Sequence, residues 1–389
     1  MATQKEIIKE WEMVKLVDVC DLNMGQSPDS KFYNSKGEGL PFFQGKTDFG
    51  FKHPSLRIYC SVPKKIVVPG DILISVRAPV GPVNIANVRS CIGRGIGGLR
   101  AKPDKLDQTF LYFYLILNEK AIASLGSGST FHAINKSHLE NFELYLPPLD
   151  EQKAIARVLN TVQEAIAGQE ALIAKLKELK RSMMHHLFTH GTKGEKTKMT
   201  EIGEIPESWD MIKFEDCLQK IKPGKSKQIP LKEYKMSGKF PIVDQGKNAI
   251  AGYTDKEDKV IFDNLPIIIF GDHTRIIKFI DFPFSCGADG TKLIKPKSNL
   301  FNDKFFFYQM LNLEIPSRGY NRHYLILKEK KIAKPNINEQ NRISNILTTI
   351  DHKIETVQLK LSIYQNLFKT LLHELMSGKR RVRRIRNYD

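Results

Sequence analysis

The sequence predicts an α+β protein built by internal duplication, with two mixed α/β domains separated by two long helices. Similar stretches recur in the same order in both halves of the chain. Short β-branched runs bounded by Gly and Pro fill the first part of each half, and a helical apolar repeat fills the rest. The predicted segments are 1–149 (first domain), 150–190 (central helix), 191–336 (second domain), 337–378 (distal helix) and 379–389 (basic tail).

The repeat is carried by several short blocks that keep their order. The matching pairs are Trp11–Leu16 with Trp209–Phe214, Pro41–Lys46 with Pro241–Lys247, Phe113-Tyr114 with Phe307-Tyr308, and Pro147–Gln152 with Pro335–Gln340. Ordered matches along a whole chain are typical of duplication with small deletions.

Within each domain the local pattern alternates between strand and helix. Strands are predicted at 65–68, 72–76, 260–262 and 267–270, because β-branched and aromatic residues dominate there. Helical pieces are predicted at 110–125 and 305–313.

Apolar side chains follow one face of each long helix in alternating steps of three and four residues, as in a coiled coil. Gln169 and Lys180 interrupt the first helix, and each helix ends before a glycine, Gly191 or Gly378. The simplest use of two such helices is to pair with each other and hold the domains apart. The predicted helix-pair interface is Ile155, Leu159, Val162, Ile166, Ile173 and Leu176 on the first helix and Ile343, Leu347, Ile350, Ile354, Val357, Leu361, Tyr364 and Phe368 on the second.

Composition and charge narrow the class of function. A 41% hydrophobic content excludes bulk disorder, and a net charge of +17 calls for a negatively charged partner. The longest apolar run, Phe110–Leu117, is too short to span a membrane. The amino terminus lacks the pattern of a secretory signal, so we expect a cytoplasmic protein.

The sequence contains only incomplete matches to motifs for catalysis or metal binding. Gly93-x-Gly95-x-x-Gly98 matches a dinucleotide loop in letters, but no helix is predicted to follow it. His185, His186 and His190 lack accompanying carboxylates or thiols, and the five cysteines are scattered without a CxxC pair. We therefore predict no catalytic residue, no metal site and no cofactor bound by this chain.

Polar and basic residues cluster in loops of both domains, and their side chains are of the types that read base edges or bind phosphates. For any single residue, a solvated loop or a phosphate contact is the alternative to base reading. The candidates are Lys46, Arg77, Arg94, Ser129, Thr130 and His132 in the first domain and Lys247, His273, Thr274, Arg275, Lys292, Arg318, Tyr320, Asn321 and Arg322 in the second.

The chain resembles a specificity (S) subunit of type I restriction-modification enzymes. The resemblance is carried by Pro147–Gln152 with Ile155, by its weaker copy Pro335–Ile343, and by Glu201–Trp209, although Asn336 replaces the second proline of the first copy. It implies two target recognition domains on an antiparallel helix pair that acts as a ruler. It also implies partners: methyltransferase (modification) subunits and an endonuclease/translocase (restriction) subunit, which would use S-adenosylmethionine, ATP and Mg.

The residues and the resemblance together predict a non-catalytic subunit that recognises a bipartite, asymmetric double-stranded DNA target. Two other classes remain open from the residues alone. One is a DNA-modifying or DNA-cleaving enzyme with an unrecognised active site. The other is a coiled-coil scaffold whose charge attracts nucleic acid without preference.

Overall fold

A computed structural model describes residues 11–126, 133–221, 228–287, 290–316 and 322–382. The chain divides into two units: unit 1 is Met1–Glu170 with Lys360–Asp389, and unit 2 is Ala171–Leu359. Each unit holds one block of strands and short helices together with part of each long helix.

Unit 1 begins with short strands and ends its globular part with three small helices and a last strand. The elements are β1 (Glu12–Lys15), α1 (Leu16–Val19), β2 (Cys20–Met24), β3 (Tyr33–Asn34), β4 (Leu40–Phe43), β5 (Tyr59–Cys60), β6 (Ile66–Val67), β7 (Ile72–Ser75), β8 (Val83–Ile85), β9 (Ser90–Ile92), β10 (Ile96–Ala101), α2 (Gln108–Leu117), α3 (Glu119–Ser124), α4 (Lys136–Glu140) and β11 (Glu143–Leu146). One sheet has the order β2-β10-β7-β8, another the order β3-β5-β4-β9-β6, and β1 pairs with β11.

The core of unit 1 forms where helix α2 packs on the first of these sheets. Asp107 caps the helix by accepting a hydrogen bond from Phe110 N at 2.8 Å. The buried helix residues Phe110 and Leu111 share one cluster with Ile72 and Ile74 of β7. Burial of this apolar face supplies most of the stabilisation in such a unit.

The first long helix, α5 (Leu149–His190), leads into unit 2, and α8 (Ile337–Met376) leads out of it. Between them lie β12 (Thr197–Thr200), β13 (Gly203–Pro206), β14 (Asp210–Lys213), β15 (Phe240–Val243), β16 (Gly252–Thr254), β17 (Val260–Ile261), β18 (Ile267–Gly271), β19 (Ile277–Ile280), β20 (Phe284–Cys286), β21 (Thr291–Ile294), α6 (Asp303–Asn312), α7 (His323–Glu329) and β22 (Lys331–Lys334). Gly191 and Gly378 follow the long helices with φ of 66° and 68°, the left-handed conformation expected of a helix stop.

The sheets of unit 2 repeat the pairings of unit 1. Strand β14 pairs with β22 as β1 pairs with β11, and β15 runs parallel to β20 as β4 runs parallel to β9. Strand β18 pairs with β21 as β7 pairs with β10. The predicted duplicated α+β fold with two long helices is confirmed.

The two long helices pair in opposite directions. In unit 1, Leu159 from the first part of α5 shares a core cluster with Leu375 from the end of α8. In unit 2, Leu187 near the end of α5 shares a cluster with Leu347 from the first part of α8. Because the start of each helix packs on the end of the other, the pair is antiparallel.

Burial along the predicted helix-pair interface is graded. The buried members are Ile155, Leu159, Ile166, Ile173, Ile343, Leu347, Ile354 and Val357, and the half-buried members are Val162, Leu176, Ile350, Leu361, Tyr364 and Phe368.

Lys180, which interrupts the apolar pattern, has an acidic partner on the other helix. Its ammonium lies 2.6 Å from Asp351 Oδ1 and 5.2 Å from the ring centroid of Tyr308. The Tyr308 hydroxyl donates to Asp351 Oδ2 at 2.7 Å, and burial raises the pKa of Tyr308. The interruption is therefore a paired polar contact between α5, α6 and α8.

The Gln of each Pro-x-x-x-Glu-Gln block ties a long helix to its domain. Gln152 Oε1 accepts from Asp107 N at 2.9 Å, and its amide donates to Lys105 O at 3.1 Å and Pro147 O at 2.9 Å. Gln340 repeats all three bonds, to Asn302 N at 2.8 Å, Leu300 O at 3.0 Å and Pro335 O at 2.9 Å. A buried amide that satisfies one donor and two acceptors explains why this block recurs.

The same equivalence corrects one of the sequence matches. Asp107 and Asn302 cap α2 and α6, so the caps align Phe113 with Tyr308. The match of Phe113-Tyr114 with Phe307-Tyr308 is thus wrong by one residue. Aromatic residues are frequent in both helices, so an alignment shifted by one residue still matches aromatic with aromatic. The shift nevertheless assigns the matched residues to different faces of the helix.

The neighbouring glutamates join each helix start to the chain that leaves the other helix. The Glu339 carboxylate accepts from Thr192 N at 2.5 Å and Thr192 Oγ1 at 2.7 Å. Glu151 accepts from Arg381 Nε at 2.6 Å and Nη2 at 2.8 Å. Both ends of the helix pair are closed by the acidic residue of the repeated block.

Candidate nucleic-acid interface

In unit 1 the end of strand β7 is joined to two other loops. Val76 N donates to Gly95 O at 3.0 Å, and Val76 O accepts from Ile134 N at 3.0 Å. Arg77 follows Val76, Arg94 precedes Gly95, and both arginines are exposed. Arginines from different loops are therefore brought to one region. We call this region edge 1, and it comprises residues 76–77, 93–95 and 133–134.

The turn that carries Lys46 lies against edge 1. A Cβ atom on Gly95 would come within 2.1 Å of Gln44 O, so this approach requires glycine. The Asp48 carboxylate accepts from Gln44 N at 2.7 Å and from Gly45 N at 3.3 Å. Arg57 in turn donates to Asp48 Oδ1 at 2.7 Å. The conformation of this turn is thus set by the chain's own hydrogen bonds.

Unit 2 builds the equivalent region from the end of β18. Asp272 N donates to Gly290 O at 2.7 Å, and Asp272 O accepts from His323 N at 2.9 Å. These bonds place Arg322 and Lys292 beside the turn that follows Asp272. We call this region edge 2, and it comprises residues 272–275, 290–292 and 322–323.

The turn that precedes Lys247 is attached to edge 2. Gln245 Oε1 accepts from His273 N at 3.1 Å, and Thr274 Oγ1 donates to Gln245 O at 2.7 Å. The Lys278 ammonium donates to Asp244 O at 2.8 Å and to Asn248 O at 2.6 Å, on either side of the turn. Burial lowers the pKa of Lys278. In both units a cation and an aspartate hold a Gln-Gly-Lys turn against the edge.

Arg275 combines an unusual backbone conformation with a hydrogen bond to a distant segment of unit 2. Its backbone adopts a left-handed φ of 60°, and its guanidinium donates to Ile315 O at 2.8 Å. Non-glycine residues rarely adopt this conformation, and they concentrate at functional sites when they do. The guanidinium is therefore anchored at one nitrogen while the residue stays exposed.

The Gly93-x-Gly95-x-x-Gly98 motif of unit 1 leads into a strand of the sheet. Residues Ile96–Ala101 form strand β10, which pairs with β2 and β7, so no helix begins in this loop. The motif cannot place a pyrophosphate at a helix N-terminus, as a dinucleotide site requires. The sequence prediction that no helix follows these glycines agrees with the strand found there.

The cysteine thiols lie in the core of the protein. The five cysteines are buried, and burial raises the pKa of Cys20, Cys217 and Cys286 to about 12. Among the described residues, no three His, Cys, Asp or Glu side chains are grouped as a metal site would need. No helix within the described ranges is long and apolar enough to cross a membrane.

Comparison with known proteins decides the family. A family model described as the type I restriction modification DNA specificity domain matches residues 8–178 and again residues 206–365. The chain belongs to this family. We refer to the two matched stretches as specificity domains 1 and 2; edge 1 lies in the first and edge 2 in the second. The predicted family is confirmed.

Relatives agree with this assignment, and a solved structure shares the fold. A protein of Methanocaldococcus jannaschii assigned as the specificity subunit of type I restriction enzyme MjaX is 44% identical over 186 residues, 47% of this chain and 44% of that protein. The MjaVIII specificity subunit of the same organism is 26% identical over 408 residues, 97% of this chain and 94% of that protein. The S subunit crystal structure from M. genitalium shares the fold, with a TM-score of 0.66 at 21% identity over 94% of this chain and 96% of that one. The match to the MjaX protein spans less than half of that relative's length.

The structure gathers the described candidates at the two edges. Lys46, Arg77 and Arg94 lie at edge 1 or on the turn against it, and His273, Thr274, Arg275, Lys292 and Arg322 lie at edge 2, with Lys247 on its adjoining turn. Six further candidates lie outside the described residues: Ser129, Thr130, His132, Arg318, Tyr320 and Asn321. Whether any candidate contacts DNA stays a prediction.

Sequence reasoning missed the residues that hold the specificity-domain turns. Asp48, Arg57 and Lys278 were not singled out, although each fixes the turn beside an edge. The repeated Gln-Gly-Lys at 44–46 and 245–247 was a usable signal, because a turn retained in both copies needs residues that support it.

Proposed function

We propose that this chain is the specificity and assembly subunit of a type I restriction-modification complex and recognises a bipartite, asymmetric double-stranded DNA target. Each specificity domain reads one half of the target with its edge. The observation that carries the proposal is the pair of edges: two copies of one scaffold present exposed cationic and polar side chains at equivalent strand ends.

The difference between the edges supports an asymmetric target. The backbone bonds that assemble them are the same, but Val76 and Arg77 in domain 1 stand where domain 2 has Asp272 and His273. Base edges in the major groove present distinct donor and acceptor patterns, so different side chains at equivalent places select different bases. Phosphate contacts from the basic residues of both domains would add sequence-independent affinity.

Catalysis in this proposal belongs to partner subunits in the cytoplasm. Methyltransferase subunits would use S-adenosylmethionine, and an endonuclease/translocase subunit would use ATP and Mg. This chain would supply recognition and the scaffold on which the partners assemble. Its family fits a recognition role.

The proposal predicts an asymmetric methylation pattern. We expect a host that expresses this chain with its methyltransferase partner to acquire methyladenine in one bipartite motif with two different half-sites. Sequencing that detects methylated bases measures this directly, and the same host without the chain is the control. A palindromic motif would contradict reading by two different edges.

The rival function, a self-sufficient DNA enzyme, is tested by assaying the purified chain alone. We expect neither methyl transfer from S-adenosylmethionine nor Mg-dependent cleavage until the partner subunits are added. Activity of the chain alone, retained through purification to homogeneity, would favour the enzyme.

Individual arginines at edge 1 are expected to affect half-site 1 alone. Arg77→Ala or Arg94→Ala should each weaken specific binding by about 1 to 3 kcal/mol and relax the preference at one base pair, if the guanidinium reads a base. Competition binding with single-base variants of both half-sites measures the change. Lys136→Ala, which removes an exposed lysine paired with Glu140, is the control. An equal loss on all sequences would reassign the arginine to phosphate contact.

A further inference from the structure

Asp272 has a buried carboxylate at the centre of edge 2. The residue is 3% exposed, and its Oδ1 accepts from Tyr324 N at 2.8 Å. Its Oδ2 lies 3.6 Å from the Lys292 ammonium, whose side chain is 38% exposed. The same ammonium lies 5.8 Å from the ring centroid of Tyr324. A partly exposed cation is therefore held between a buried anion and an aromatic ring.

Domain 1 shows that this carboxylate is not required to assemble an edge. Val76 makes the same two backbone bonds as Asp272, one to the glycine loop and one to the segment after it. Strand register pairs Phe270 with Lys292 in domain 2 and Ile74 with Gly97 in domain 1. The Asp272–Lys292 pair therefore occupies the place of Val76 and Gly97.

The three atoms nearest to this place in domain 1 are Ile74 Cγ2, Met24 Sδ and Val76 Cγ1. A Cβ atom on Gly97 would lie 3.2 Å from Ile74 Cγ2 and 3.5 Å from Val76 Cγ1, so the site there has no room for a long side chain without a shift. A buried carboxylate costs desolvation energy unless it is paired and hydrogen-bonded. Since the backbone bonds alone assemble edge 1, closing the edge does not require the charged pair. Asp272 Oδ1 caps the first turn of α7 through Tyr324 N, and the Lys292 ammonium beside Oδ2 is the member of the pair that stays 38% exposed.

Resting on the proposed function, we propose that Lys292 is a specificity-determining residue of the second half-site and that Asp272 is its positioning residue. The Lys292 ammonium donates to acceptor atoms on a guanine edge, O6 or N7, in the major groove. These atoms are the usual partners of a lysine that reads a base. Asp272 and the Tyr324 ring limit the directions that the lysine can take, so that it faces one base pair rather than the nearest phosphate.

Substitution of Lys292 tests the contact in the full chain assembled with its methyltransferase partner. We expect Lys292→Met to weaken binding to the target roughly tenfold to a hundredfold and to relax one base pair of half-site 2, with half-site 1 unchanged. Lys292→Arg should restore the preference, because a guanidinium can donate to the same atoms. An equal loss on target and scrambled DNA would overturn the proposal and make Lys292 a phosphate contact.

Substitution of Asp272 tests the positioning role. Asp272→Asn keeps an oxygen that can accept from Tyr324 N but removes the charge that holds Lys292. We expect it to relax the same base pair, to strengthen binding to scrambled DNA, and to increase the salt slope by about 1 as the lysine moves to a phosphate. Binding and salt dependence like those of the unaltered chain would overturn the positioning role.

Controls distinguish failure of this proposal from misfolding and from failure of the proposed function. Asp255→Asn breaks an exposed aspartate–lysine pair of the same unit, 2.8 Å long, and should leave base preference unchanged. Thermal unfolding establishes that each variant is folded. Tyr324→Leu, which removes the ring beside Lys292 and keeps the backbone N–H that donates to Asp272, is a second test of the positioning role if the asparagine variant unfolds. Failure of the proposed function is distinct, because the unaltered chain would then show no preference for any bipartite sequence.

Discussion

Insertion of one heptad after Ala167 and one after Glu355 is expected to lengthen the favoured spacer between the half-sites by about three base pairs. Seven residues add about 10 Å of helix at 1.5 Å per residue. This length corresponds to about three base pairs at 3.4 Å of rise each. The half-sites themselves should not change, because neither insertion touches an edge.

The heptad is chosen because it preserves the seam. A seven-residue insertion keeps the phase of the 3.5-residue repeat, so the apolar faces of α5 and α8 still meet. Ala167 is half-buried and Glu355 is exposed, so neither insertion point lies in the buried seam. An insertion of four residues at each point is the matched control, since it rotates the seam and should disrupt pairing.

The expected cost is a loss of affinity alongside the longer spacer. Three added base pairs turn the DNA by roughly 100°, given about 10 to 10.5 base pairs per turn, so the complex must twist the DNA or bind less tightly. Methylation mapping or selection from a library of spacer lengths measures the preferred spacer. If the spacer stays the same in a variant whose circular dichroism is fully helical, the helices do not measure the DNA.

Replacement of Gln340 by Ala is expected to lower the free energy of unfolding by about 2 to 4 kcal/mol. The change removes the acceptor of Asn302 N and the donor to the carbonyls of Leu300 and Pro335. Each buried polar group left without a partner costs about 1 to 3 kcal/mol, and the lost side-chain volume adds a cavity term. Denaturant unfolding measures the effect, and hydrogen exchange at Asn302 N reports the local opening.

A control on the same helix separates the loss of the Gln340 hydrogen bonds from the effect of alanine on helix propensity. Gln358 is exposed, so Gln358→Ala should change stability by less than about 0.5 kcal/mol. Gln152→Ala should reproduce the large effect in unit 1, because Gln152 makes the equivalent three bonds. Equal effects of Gln340→Ala and Gln358→Ala would show that the buried amide does not hold the helix to its domain.

Periodic and repeated features of this protein are visible in its amino-acid sequence. The apolar seam of the long helices depends on side-chain spacing along one element, and spacing is preserved in the sequence. The duplication was readable for a similar reason, because ordered blocks such as Trp11–Leu16 and Trp209–Phe214 survive as letters. The helix stops at Gly191 and Gly378 are local too, since a left-handed residue after a helix favours glycine.

The partners of individual residues were not readable in this way. In the sequence Lys180 only interrupts the apolar pattern, whereas in the structure it contacts Asp351 and the ring of Tyr308. The one-residue error between α2 and α6 came from aromatic residues that match in either register. The buried roles of Gln152 and Gln340 depend on loops that lie tens of residues earlier in the chain.

The duplicated α+β architecture, the two long helices with their apolar seam, and the basic character that points to DNA follow from the order of the amino acids. Which loops meet is visible only in the folded chain: Val76 contacts Gly95 and Ile134, and Asp272 contacts Gly290 and His323. The physical reason is the range of the interactions. Helical periodicity arises within a few residues, whereas each edge is assembled by backbone hydrogen bonds, and every residue type offers the same amide and carbonyl to such bonds.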